Sequence, residues 1–169
     1  MEVSVRCALR YSAICLAACL MAACYESAFP LDLMPHADVD AKLSGTWHCI
    51  TSDPGDRDMT LTIARTRDRV YALTFQEFGE EADRYEAHAS MVAGAPLVNV
   101  RSLKPSEKPW AFVRYTLLRP KVLQLQIVDD KAMKDVAKSA SAVRQAIERQ
   151  TKDPALFADA CTCVRMNEK

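Results

Sequence analysis

The sequence predicts a mainly β domain, an antiparallel meander of about eight strands that closes into a barrel or stops as a half-open one, with one helix before the last strand. Three observations carry this. From residue 45 to 128 apolar and polar side chains alternate in short runs, the period of half-buried strands. Turn-forming residues close each run after a handful of positions, so successive strands pair as antiparallel neighbours. Beyond Asp129 the apolar period changes to that of a helix.

The strands follow in order. Thr46 to Thr51 is the first, ended by the Ser52-Asp53-Pro54-Gly55-Asp56 turn. Met59, Leu61 and Ile63 alternate with Thr60, Thr62 and Ala64 in the second. A tight connection at Arg67-Asp68 leads into Val70 to Gln76, whose Tyr71, Leu73 and Phe75 share a face; the two runs are expected to form a hairpin. After Phe78-Gly79-Glu80, Tyr85, Ala87, Ala89 and Met91 alternate with Glu86, His88 and Ser90, and Gly94-Ala95-Pro96 closes that strand. Leu97 to Leu103 is next. Trp110 to Leu118 and Val122 to Val128 make a further pair joined at Arg119-Pro120-Lys121.

Met133, Val136, Ala137, Ala140, Val143 and Ile147 then fall on one helical stripe, with Asp129 or Asp130 as N-cap and Asp153-Pro154 as terminator. Lys131, Lys134, Lys138, Arg144 and Arg149 lie off the stripe and read as a solvated face. A short turn from Pro154 to Ala158 precedes a last strand near Cys161 to Arg165.

The N-terminus has a different character. Arg6 and Arg10 precede an uncharged apolar run from Tyr11 to Cys24. That run is shorter than the ~20 residues a membrane-spanning helix needs, and it ends in small residues, as an export signal does. Leu20-Met21-Ala22-Ala23-Cys24 resembles the lipobox of bacterial lipoproteins, with Leu16-Ala17-Ala18-Cys19 as the alternative. The resemblance implies cleavage before an acylated cysteine, so 1–23 is expected to be a signal peptide and Cys24 (alternatively Cys19) the lipidation site. Tyr25 in place of Asp after Cys24 implies passage to the outer membrane, with the protein lipid-anchored in the envelope and facing the periplasm. Residues 24–42, which hold Pro30, Pro35 and His36, read as a flexible tether, and 43–169 as the β-rich domain.

Without Arg6, Arg10 and Glu2, 20 basic residues face 21 acidic ones, so nucleic acid is excluded as a partner. Cys49, Cys161 and Cys163 remain in the mature chain. In an oxidising envelope a disulfide from Cys49 to Cys161 or Cys163 would staple the first strand to the last and leave one thiol spare. These cysteines with His48 would make a zinc ligand set, but His48 and Cys49 are strand neighbours pointing to opposite faces, so no metal is expected. Asp129-Asp130 and Glu80-Glu81 sit at element ends, where carboxylates cap and turn. His88 reads as a surface histidine. No catalytic motif or cofactor signature is present, and no enzyme is expected.

Gly45-Thr46-Trp47 opening a strand meander that ends in a helix and a closing strand resembles the lipocalin and calycin barrels. There the Trp plugs the closed end and one cavity holds a small apolar ligand. The resemblance implies ligand binding inside the barrel, lined by aromatics drawn from Trp47, Tyr71, Phe75, Tyr85, Trp110, Phe112 and Tyr115. The same residues would also make an ordinary packed core. The alternative function is a structural or inhibitory accessory role against a partner envelope protein.

Overall fold

A computed structural model of the chain describes residues 25–35, 37–51, 57–77, 79–104, 109–134, 136 and 139–167. Eight strands run β1 (Gly45–Thr51), β2 (Met59–Arg67), β3 (Val70–Glu77), β4 (Asp83–Val92), β5 (Ala95–Ser102), β6 (Trp110–Arg119), β7 (Val122–Val128) and β8 (Phe157–Arg165). Each is antiparallel to the next, and β1 also pairs with β8, so the sheet is a closed barrel rather than a half-open one. Closure leaves no unpaired edge among the described strands to template aggregation. The architecture is consistent with a lipocalin-like fold.

Strand parity sorts the side chains. Trp47 and Cys49 on β1, Leu61 and Ile63 on β2, Tyr71 and Leu73 on β3, Leu123 on β7, and Cys161 and Cys163 on β8 are buried in one cluster inside the barrel. A second cluster lies outside the wall, where Val92, Leu97, Trp110, Phe112, Val128 and Phe157 pack beneath a helix and the N-terminal segment. The β4–β5 connection is a two-residue turn with both residues at positive φ, Ala93 at 49° and Gly94 at 82°, matching the twist of the flanking strands.

The expected helix before the last strand is present as α2 (Ala140–Gln150), which buries Val143, Ala146 and Ile147; a separate turn, α1 (Asp130–Met133), precedes it. Each has its own cap. The Asp129 carboxylate accepts the Lys131 N–H at 2.7 Å, and the Ser139 hydroxyl accepts that of Ala142 at 3.3 Å. A serine free to cap restarts the helix, which is why a single apolar stripe becomes two pieces.

The segment expected to be a tether, 24–42, lies against the barrel as a strap over 25–35 and 37–42. Tyr25 and Leu31 are buried in the outer cluster, and Val39, with Leu43 beyond it, in the inner one. It starts between the first residue of β6 and the last of β7: the Tyr25 N–H donates to the Val128 carbonyl, and Ser27 exchanges two backbone hydrogen bonds with Trp110. It then descends the outside of β5 and β4 to a 3-10 turn, Ala41–Leu43, at the other end. Isolated anchors of this kind produce no period for a sequence reading to detect.

Candidate functional site

The two ends of the barrel differ. At the end where β1 begins, the Trp47 indole is fully buried and donates from Nε1 to the Leu43 carbonyl at 2.9 Å, while the Tyr71 hydroxyl donates to the Val39 carbonyl at 3.3 Å. Arg165 lies over the Trp47 ring, its Cζ 5.2 Å from the centroid, and donates to the carbonyls of Lys42 and Ser44. Gly45 makes this close approach possible. Its φ is +134°, and a Cβ there would stand 2.7 Å from the Arg165 guanidinium. Arg165 has no sequence signal beyond its position at the end of a strand. This end is plugged.

The opposite rim carries the connections β1–β2, β3–β4, β5–β6 and β7–β8. Phe75 and Tyr85 meet there edge to face, with ring centroids 5.4 Å apart. The wall below it is uneven. Trp47, Cys49, Leu61, Ile63, Leu73, Leu123 and Cys163 are buried, whereas Met59, Phe75, Tyr85, Val98, Val113, Tyr115, Leu117 and Leu125 pack against them and stay only half-buried. Burial is the largest influence pushing the Tyr115 phenol above its ordinary value, and a hydrogen bond with the Asp40 backbone works the other way.

Of the aromatic lining candidates, Trp47, Tyr71, Phe75, Tyr85 and Tyr115 share the interior. Trp110 and Phe112 do not. With Tyr115 inward, even-numbered positions of β6 point out, so both rings lie in the outer cluster, Phe112 against Tyr25 at 6.3 Å and Trp110 against His88 at 5.3 Å.

His88 is buried, not a surface residue, because the strap covers it; its Nε2 is 3.0 Å from the Asp32 carbonyl oxygen. Asn99 beside it is fully buried. Its Oδ1 accepts the Leu31 N–H at 2.8 Å, and its Nδ2 donates to the Ser90 hydroxyl at 2.8 Å and the His88 carbonyl at 3.1 Å. Arg144 on α2 is likewise no solvated cation: it pairs with Asp32 at 2.7 Å and donates to the Met91 carbonyl at 2.6 Å. The polar face of β4 and β5 is thus a fastening for the strap. Beyond it a recess of about 40 Å³ is lined by Tyr25 to Phe29, far below the ~300–1,000 Å³ of small-molecule sites.

Cys49 and Cys163 are directly opposed on β1 and β8 and form the disulfide, leaving Cys161 as the free, buried thiol. The Cys161 Sγ is 3.6 Å from that of Cys163, and the three sulfurs lie within 4.8 Å of one another. Burial pushes the Cys161 thiol up to about 11, so it stays protonated and weakly nucleophilic at neutral pH. His48 points outward and contacts Asp58 at 3.1 Å, away from the sulfurs. The Cys24 and Cys19 positions and His36 lie outside the described residues, and no described helix is long and apolar enough to cross a membrane.

Comparison with protein families, with curated proteins and with solved structures finds no match for this chain.

Proposed function

We propose that this chain is a bacterial envelope lipoprotein that holds a small hydrophobic ligand inside its barrel without chemical turnover. Removal of 1–23 leaves it attached through acylated Cys24 to the outer membrane, facing the periplasm. The observation that carries the reading is a closed barrel, plugged at one end by Trp47, Leu43 and Arg165, in which Met59, Phe75, Tyr85 and Val113 stay half-buried toward the other end. Apolar surface that faces inward and stays half-buried is what an apolar guest would cover.

The test is an overpacking variant, Val113→Trp, in the complete protein. If the interior has room, the added ring is accommodated with stability little changed, and affinity for a fluorescent apolar probe falls at least several-fold. If the interior is filled, overpacking costs ~1–3 kcal/mol and the unmodified protein binds no probe. That result would end the ligand reading. The anchor is tested separately: Cys24→Ala should abolish acyl-chain labelling and release the protein from membranes.

A second reading, binding of a partner envelope protein, has its own observation. On the outer wall of β1 and β8, Ile50, Val164 and Met166 are 55%, 47% and 47% exposed, and neither strap nor helix covers them. Crosslinking from positions 50 and 164 in intact cells would capture such a partner; no adduct at either would leave ligand carriage alone.

A further inference from the structure

The strap fixes where the anchor emerges. Tyr25 is buried, 6% exposed, and its N–H is bonded to Val128, the last residue of β7, at the open rim. Cys24 is one peptide bond before it, ~3.8 Å between Cα atoms. An acyl chain on Cys24 therefore cannot swing on a tether; it leaves the protein at the level of the barrel's mouth. The other end is remote, because strands of seven to ten residues tilted as in small barrels span roughly 20 Å along the axis.

The same rim exposes apolar side chains. Leu103, just past the end of β5, is 53% exposed, and Phe29, two residues beyond the Ser27–Trp110 bridge, is 44% exposed. Near the anchor Glu26, Asp129 and Asp130 stand with Lys131 and Lys134, so charge does not set this sector apart. The β3–β4 connection, across the barrel from β7–β8, carries exposed Glu80 and Glu81, of which Glu80 pairs with Arg57 at 3.6 Å.

We propose that the open rim docks on the bilayer surface along its β5 to β7 sector, where Tyr25 holds the anchor, so that an apolar molecule passes between membrane and barrel without crossing water. The inference rests on the Cys24 anchor proposed above and names the ligand class: a lipid or lipid-derived amphiphile resident in the membrane. The anchor and the unplugged mouth share one end of the molecule and the plug closes the other, while exposed apolar side chains stand at both.

The experiment uses the complete, processed protein in vesicles of phosphatidylethanolamine and phosphatidylglycerol. A photocrosslinking amino acid replaces Phe29 or Leu103 at the rim, and Leu118 or Met166 at the plugged end, all exposed positions where folding is not at stake. Lipid adducts should be several-fold more abundant from the two rim positions. Acylated protein with equal adducts from both ends, or more from 118 and 166, overturns the docking inference and leaves the anchor standing. Absence of an acyl chain on the N-terminal peptide, read by mass in the same sample, overturns the anchor and the docking together.

Discussion

Removing the Cys49–Cys163 staple should be the most damaging change of a single buried atom in this barrel, and the third sulfur should decide which cysteine matters more. The bridge spans 114 residues, for which the loop-entropy relation gives about 4.8 kcal/mol at 25 °C, above the usual ~2–4 and near the upper limit of about 5. Cys49→Ala removes the only sulfur on β1, so the staple is lost, at an expected cost of about 3–5 kcal/mol. Cys163→Ala leaves Cys49 and Cys161, whose sulfurs already lie within 4.8 Å; a Cys49–Cys161 bridge should form and hold the loss to roughly 1 kcal/mol of packing. The assay is urea unfolding without reductant, with peptide mapping of the bridge in Cys163→Ala. Equal losses in the two variants would refute substitution by Cys161, and a Cys49→Ala loss below 1 kcal/mol would refute the staple argument itself.

The Cys161 thiol is pushed from about 9 to about 11 by burial, so between those values the unfolded chain is the less protonated state and stability falls as pH rises, by on the order of 2 kcal/mol across the window; Cys161→Ala should flatten that limb of a pH series of unfolding curves, and an unchanged limb would show the thiol is not its source. Asn99→Ala leaves the Leu31 N–H and the Ser90 hydroxyl without their buried partner, a loss of about 1–3 kcal/mol that should appear in hydrogen exchange as early deprotection of the strap. Gly45→Ala sets a Cβ against the Arg165 guanidinium at a φ of +134°; a melting temperature equal to that of the unmodified protein would contradict the plug as described.

Strand order was legible from alternation and turn residues, because each strand has one face in an apolar interior and the period survives in the chain. Boundaries agree within a few positions, and β8 begins four residues early, at Phe157, since the 3-10 turn before it is only three residues long. Two errors had opposite causes. Trp110 and Phe112 could have been assigned to the outer wall from sequence, because their parity on β6 differs from that of Tyr115. The burial of His88 and Asn99 could not, because their cover is the strap, held by single side chains such as Leu31 and by the Asp32–Arg144 pair 112 residues apart. The pairing of Cys49 with Cys163 rather than Cys161 depended on the β1–β8 register, which strand alternation does not set.

Native mass spectrometry of the mature protein extracted from its host's membranes tests ligand carriage most directly. The account predicts a species heavier than the acylated chain by one small apolar molecule, lost in the Val113→Trp variant. A mass equal to the acylated chain alone, from protein that remains folded and disulfide-bonded, would contradict it.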